Sequence, residues 1–245
     1  MDALGRYESV RPDESRAASR WFNLGDRDLA THLYRTGRLH EGATLTEVSD
    51  EIRRAWALPC AIVPMSDDRC ATIVDTVDHG ELSFQDYFVR LRHSVAVQGI
   101  RFDGAARLSP VAARALVDAR SIVIAPSNPL LSIAPIRSLD GVDELLATAR
   151  QRVVAVSPIV GGSALKGPAD RMLAELGHES SVVGVARLYA PIASALVIDP
   201  ADADRADDVA AEGLTPIVTP SVMSTPAAAR ELARATVAAT IPQPD

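Results

Sequence analysis

From about residue 107 onward, short apolar runs alternate with stretches of helical spacing, and this alternation limits the possible folds more than any other feature. Ser109-Pro110 opens a helix predicted to reach Ala119, with serine as cap and proline in the first turn. Ser121–Ala125 (SIVIA) reads as a short buried strand. A helix from Asp140 to Arg150 leads to a strand at Val153–Val156, and a helix from Pro168 to Leu176 ends at Gly177. Ala195–Ile198 reads as a strand, Ala201 to Glu212 as a helix ending at Gly213, and Leu214–Val218 as a strand. Thr225-Pro226 caps a last helix to about Ala239. Apolar strands separated by helices of this length form βαβ units, and hence a parallel sheet buried on both faces.

The upstream half is less regular. Leu29, Leu33 and Tyr34 give one apolar face over 26–36, and Thr44 with Glu47 makes a capping box ahead of 45–57. Residues 60–64 and 70–77 read as short β segments, 84–92 as an amphipathic helix and 95–102 as extended. The expected division is a polar segment at 1–20, a mixed but mainly helical cap with short β segments at 21–105, and a parallel α/β region at 106–245. The expected fold class is α/β, a Rossmann-like three-layer parallel sheet carrying that cap.

Composition removes several classes of function. A net charge of −7 argues against nucleic-acid binding. No apolar run approaches the roughly 18–20 residues needed to cross a bilayer, and the first twenty residues lack the apolar core of a signal peptide. The expectation is a cytoplasmic chain without a membrane partner. Cys60 and Cys70 have no CxxC spacing and no His cluster nearby, which argues against a metal knuckle or a disulfide framework. Of 25 basic residues only one, Lys166, is lysine, in a background where arginine otherwise serves. A compact ammonium wanted at that point and chance survival are both open readings.

In an open parallel sheet, ligands sit beyond the carboxyl ends of the strands. The strand at 121–125 runs into APSNP (125–129), that at 153–156 into SPIVGGSALKG (157–167), that at 195–198 into Asp199-Pro200, and that at 214–218 into TPSVM (219–223). The second loop offers Ser157, Gly161, Gly162, Ser163 and Lys166 just before a helix, where backbone amides favour an anion. It is not a Walker loop, and a flexible connection reads equally well. Ser127 and Asn128 follow a strand directly. Asn128 suits recognition of a base edge or a sugar, and Ser-Asn-Pro is also good turn chemistry.

The sharpest local signal is WFNLGDRDLATH at 21–32. Asp26, Arg27 and Asp28 stand in consecutive positions beside Trp21, Phe22 and Leu24, with His32 one turn beyond Asp28. One aspartate is explained by helix capping. The functional reading makes Asp26 or Asp28 a metal ligand or base and Arg27 a partner for a phosphate or planar ring. A capped helix with a local ion pair is the alternative. In MSDDRCAT (65–72), Asp67, Asp68 and Arg69 suit either a site or a solvated turn.

LGDRDLATHLYRTGRL, PMSDDRCAT, APSNPLLSI and SPIVGGSALKGPAD, in this order and spacing, resemble the 2-phospho-L-lactate transferase family, whose actinobacterial branch comprises phosphoenolpyruvate transferases. The resemblance covers about residues 20–190 well. It implies synthesis of the deazaflavin coenzyme F-420. A guanosine diphosphate carries lactate or enolpyruvate on its distal phosphate, the ribityl hydroxyl of the deazaflavin Fo attacks that phosphorus, and GMP leaves with Mg²⁺ assisting. By this analogy Asp26 and Asp28 are catalytic and metal-binding, and Trp21, Arg27 and His32 lie at the Fo end. Ser127, Asn128, Ser157, Gly161 and Lys166 hold the nucleotide, and the enzyme is a homodimer. The family's opening strand, glycine-rich loop and Asp-Asp pair have no counterpart in 1–245, so the resemblance also implies a partial protein whose sheet is incomplete at its N-terminal side and whose activity is reduced or lost. A related expectation from another class is a non-catalytic regulator of the same fold that binds a nucleotide or nucleotide-sugar.

Overall fold

The computed structural model describes residues 24–240. Its centre is a four-stranded parallel sheet of β4 (Ile122–Ile124), β5 (Val153–Val156), β8 (Ala195–Ile198) and β9 (Thr215–Val218), adjacent in that order. All four residues of β5 and of β8 are buried, which is why these runs are continuously apolar rather than alternating. Thr215–Val218 is half-exposed, as suits an edge.

The two faces of the sheet are covered unequally. Ile124, Val153, Ala155, Leu196 and Ile198 face a large core. It is built with α5 (Val142–Thr148), α6 (Ala169–Glu175), α7 (Val182–Tyr189) and α8 (Ala206–Ala211). Val154, Val156, Ala195 and Val197 face the other way, onto Leu232 of α9 (Pro226–Ala238). The result is three layers. Each fully buried valine or leucine contributes about 1.5–3 kcal/mol to holding them together.

Most predicted elements of this half are present, with instructive adjustments. Ser109 caps α3 (Pro110–Asp118), its hydroxyl accepting the Ala112 amide at 3.1 Å. The helix expected over 140–150 starts two residues late, because Gly141 takes a left-handed φ of 84°. The helix expected over 201–212 is split: a 3₁₀ segment, Pro200–Arg205, breaks at Asp202 before α8 begins. Helix α7, capped by Ser181, lies in the stretch after Gly177 that the sequence reading left unassigned. Six of its eight residues are buried, and its opening run Val182-Val183-Gly184-Val185 is made of poor helix formers.

The cap holds helices α1 (Asp26–His40) and α2 (Leu45–Ala55) and a three-stranded antiparallel sheet of β1 (Ala71–Thr76), β2 (Gly80–Ser83) and β3 (Val97–Asp103), ordered β2-β1-β3. The Thr44–Glu47 capping box forms as predicted. Residues 60–64 form no strand: the Pro64 and Met65 carbonyls instead accept the hydroxyl and amide of Ser109 at 3.0 and 2.8 Å. The segment expected as an amphipathic helix over 84–92 contains a π-helical turn, Asp86–Arg90, that buries Tyr87. A second π-helical turn, Pro129–Ile133, follows β4 and leads into the short α4 (Ala134–Arg137). Val74, Tyr87, Val97, Leu131 and Met172 form one cluster joining the cap sheet, this turn and α6. No helix among the described residues is long and apolar enough to cross a membrane.

Candidate functional site

The loops at the carboxyl ends of the parallel strands are braced by their own polar groups. After β4, the Asn128 side-chain oxygen accepts the Leu130 and Leu131 amides at 2.9 and 3.1 Å, capping the π-helical turn. Its amide nitrogen lies 3.7 Å from the Met172 sulfur. Ser127 is half-buried, and among the described residues its hydroxyl has no hydrogen-bond partner.

After β5, Ser157 is 2% exposed. Its amide donates to Val197, and its hydroxyl is engaged twice by Ile159, donating to the carbonyl at 3.0 Å and accepting the amide at 3.1 Å. A two-stranded hairpin, β6 (Ile159–Val160) and β7 (Ser163–Ala164), turns through Gly161 and Gly162 with φ of 58° and 76°, backbone that glycine adopts without strain. The Gly161 amide donates to the carboxylate of Asp202 at 2.8 Å. Lys166 is exposed beyond the hairpin, at the approach to α6.

These bonds correct part of the sequence reading. The hydroxyl of Ser157 and the amide of Gly161, predicted to lie near the nucleotide, are already satisfied within the protein, and Asn128, whose amide also donates to the Met172 sulfur, keeps one amide hydrogen for a ligand. Ser127 and Lys166 retain their full donor capacity. The bracing residues Asp199 and Asp202 were not singled out from the sequence. Asp199 accepts the Ala201 amide at 3.1 Å, and the Ser221 amide and hydroxyl at 2.8 and 3.2 Å, tying the β8 loop to the β9 loop. Burial works against its charge, but these three donors outweigh it and hold the carboxyl below its ordinary value. An aspartate directly after a buried strand and before a proline is the signal that marks such a brace.

The cap reaches this end of the sheet through α6. Arg171 donates to the Tyr87 hydroxyl at 3.0 Å and to the carbonyls of His93 and Val95, and it pairs with Glu175 at 3.0 Å. Glu175 in turn accepts the Val97 amide at 2.9 Å. The His93 carbonyl is thus fixed where Arg92 and His93 both adopt left-handed φ, 48° and 45°, a conformation costing on the order of 1–3 kcal/mol per residue. Met172, the next residue, touches Asn128, so one helix joins the cap turn to the β4 loop.

The acidic corner opens α1. Asp26, Arg27 and Asp28 form the exposed first turn of α1, and among the described residues no hydrogen bond or ion pair links their side chains to the 125–129 or 157–167 loops. Asp26 and Asp28 are two residues apart in a helix and so project in opposing directions. His32 Nδ1 accepts from the Arg35 guanidinium at 2.8 Å on the same helix. Trp21 lies outside the described residues. α1 is held to α2 by Tyr34 and Arg38, which both donate to Glu51. α2 is held in turn by Asp67, whose carboxylate accepts the Thr46 amide at 2.7 Å, and Asp68 accepts the Arg107 amide at 3.1 Å. MSDDRCAT is therefore a brace between the cap and the start of α3. A cleft of about 660 Å³ opens there, lined by Arg38, Glu51, Arg54, Ile62, Val63 and Val111 among others, and none of the predicted site residues lines it.

Among the described residues no three Asp, Glu, His or Cys side chains gather as a metal cage. A Mg²⁺ ion needs only one or two carboxylates when substrate phosphates and water complete its shell, and either Asp26 or Asp28 can supply one.

A parallel three-layer sheet with polar loops at its strand ends and a cap joined to them through α6 defines a Rossmann-like α/β protein, a class in which ligands sit beyond the strand ends. The fold recurs in protein BH3568 from Bacillus halodurans, solved twice. The two superpositions have TM-scores of 0.60 and 0.53 at 15% and 14% identity, cover 88% and 78% of this chain, and cover 75% and 65% of that one. The family model for 2-phospho-L-lactate transferase matches residues 4–231. The phosphoenolpyruvate transferase of Streptomyces griseus is 39% identical over 221 residues, covering 86% of this chain and 70% of that protein. The 2-phospho-L-lactate transferase of Methanosarcina mazei is 37% identical, covering 87% and 68%. The phosphoenolpyruvate transferase of Mycobacterium bovis is 36% identical, covering 96% and 71%. The chain belongs to the 2-phospho-L-lactate transferase family and is an enzyme of the transferase class.

Proposed function

We propose that the chain transfers a 2-phospho-L-lactyl or phosphoenolpyruvyl group from a guanosine diphosphate-linked donor to the ribityl hydroxyl of Fo, in coenzyme F-420 synthesis. The family match over residues 4–231 carries this reading. The relatives named above supply both acids: two bear the name of phosphoenolpyruvate, one that of phospho-lactate. The hydroxyl oxygen of Fo forms a bond to the distal phosphorus, the bond from that phosphorus to the bridging oxygen breaks, and GMP departs with the electron pair. The hydroxyl proton passes to a carboxylate, for which Asp26 or Asp28 is the candidate. Ser127, the remaining amide hydrogen of Asn128 and the ammonium of Lys166 hold the nucleotide end, and Arg27 with His32 lies toward Fo. Mg²⁺, when bound with the diphosphate, neutralises charge on its oxygens.

In this assignment Ser157 and Gly161 act through loop shape, and the enzyme works as a cytoplasmic homodimer. The test is direct. Purified chain is incubated with Fo, the guanosine diphosphate-linked acid and Mg²⁺, and products are separated with fluorescence detection. A deazaflavin phosphodiester and GMP in equal amounts are expected. No product and no GMP at saturating substrates would sink the reading.

A further inference from the structure

Among the described residues, polar contacts tie the cap to the parallel region in two places. The first lies beside the covalent link, the 104–109 segment between β3 and α3. There the Arg107 amide donates to Asp68, and the Ser109 amide and hydroxyl donate to the Met65 and Pro64 carbonyls. The link itself lies close on the cap, since no Cβ would fit at Gly104 against the Arg69 carbonyl. Ties this near the connecting chain hold one edge of the cap as a pivot does, and the angle about that edge is set elsewhere.

The second place is α6, whose bonds to the cap span 76 to 84 residues of sequence. One nitrogen of the Arg171 guanidinium faces three acceptors there, the Tyr87 hydroxyl and the His93 and Val95 carbonyls. Glu175, paired with the same guanidinium, takes the Val97 amide at the start of β3. β3 runs alongside β1 from Ala71 to Thr76, so what holds Val97 holds the cap sheet. The His93 carbonyl belongs to the left-handed Arg92–His93 pair, a shape that persists only where its surroundings over-determine it. α6 is equally fixed to the β4 loop. Met172 is fully buried, packs with Leu131 and lies beside Asn128, whose side chain holds the Leu131 amide. Two consecutive residues of one helix thus meet the cap turn and the β4 loop.

We propose that Arg171 is a positioning residue for the transfer: it sets the angle of the cap, and with it the acceptor end, against the nucleotide loop at Asn128. This role rests on the assignment of Fo to the cap and of the nucleotide to that loop made above. Phosphoryl transfer depends on in-line placement of the attacking oxygen, and a misplacement of about 1 Å can cost on the order of 100-fold in rate. Arg171, engaged by the cap turn and Glu175, acts through that angle, so its loss is felt in turnover and not in either binding step. Arg171→Met keeps the stem and removes the donors. Arg171→Lys keeps a cation for Glu175 but not the planar fork.

The test compares the three proteins in transfer from the guanosine diphosphate-linked donor to Fo with Mg²⁺, at a temperature where circular dichroism shows each folded. Arg171→Met is expected to lower kcat about tenfold or more, with dissociation constants for GDP and Fo within about twofold of the unaltered chain. Arg171→Lys is expected to recover part of the loss. If Arg171→Met does not fold, Glu175→Gln, which keeps an acceptor for Val97 and weakens the ion pair, carries the same comparison with the same expected direction. A second readout needs no turnover. Spin labels at Asp78→Cys, in the exposed turn between β1 and β2, and at Ala210→Cys, exposed on α8, report the distance from cap to sheet once Cys60→Ser and Cys70→Ser are made. One narrow distribution is expected with Arg171 in place, and a broader or shifted one in Arg171→Met. Absence of product from the unaltered chain would sink the transferase reading and this role together. With that chain active, three results would sink the role alone: an unchanged kcat in Arg171→Met; affinities for GDP and Fo that fall along with kcat, the mark of a merely structural loss; or an unchanged distance distribution.

Discussion

Arg27 and Asp202 are both charged residues in the region of interest, and they predict opposite results on substitution. Arg27 is exposed in the first turn of α1. Arg27→Ala is expected to weaken Fo binding about tenfold or more in a fluorescence titration while leaving the melting temperature unchanged, because little packing is lost. Asp202 is 6% exposed and accepts the Gly161 amide. Asp202→Ala leaves that amide without its partner and is expected to cost about 1–3 kcal/mol in urea unfolding. Asp202→Asn keeps an acceptor and is expected to recover most of the loss. Asp202 escaped the sequence reading because its partner is 41 residues away; only the spatial return of the hairpin over the β8 loop reveals the pair. The GDRD corner was conspicuous in sequence because its charges are local.

Whole elements were legible where a cap and a period coincide, as at Thr44–Glu47 and Ser109-Pro110. They were missed where a helix is built of poor helix formers, as in Val182-Val183-Gly184-Val185. α7 is the clearest case, and its interior glycine shows what fixes it. A Cβ on Gly184 would lie 1.8 Å from the Glu179 carbonyl oxygen, which is backbone and cannot swing aside. Gly184→Ala is therefore expected to lower stability by more than 1 kcal/mol, even though alanine is the better helix former. Thermal unfolding checks it; an unchanged or raised midpoint would show that α7 approaches the 177–181 loop less closely. The π-helical turns were equally hidden, since nothing local separates Asp86–Arg90 from an ordinary helical turn.

For the molecule as a whole, the four parallel strands followed from alternation, whereas their order in the sheet and the cap sheet did not. β2 is only four residues long and mostly exposed, and its pairing with β1 depends on the turn between Thr76 and Gly80. Stability against acid is a property at this scale. Glu179, which accepts from Ser181 and pairs with Arg187 and Arg205, and Asp199, held down by its three donors despite burial, both titrate below their ordinary values of 4.5 and 3.8 in the folded state. Their contribution is fully present above those values, shrinks as pH falls below them and is gone beneath the folded values. Urea midpoints are expected to be level from pH 7 to about 5 and to fall by pH 3, with the fall reduced in Asp199→Asn. A midpoint that holds steady to pH 3 would contradict it.

Pro216 bears on how copies of this chain can aggregate. Growth of a fibre by lateral addition needs two receptive sides on every unit, one to join and one to be joined. A unit whose far side lacks a donor at its middle rung accepts a neighbour poorly there, so addition stops after a single step. The proline in β9 thus makes that margin of the sheet a poor partner for the sheet of another copy.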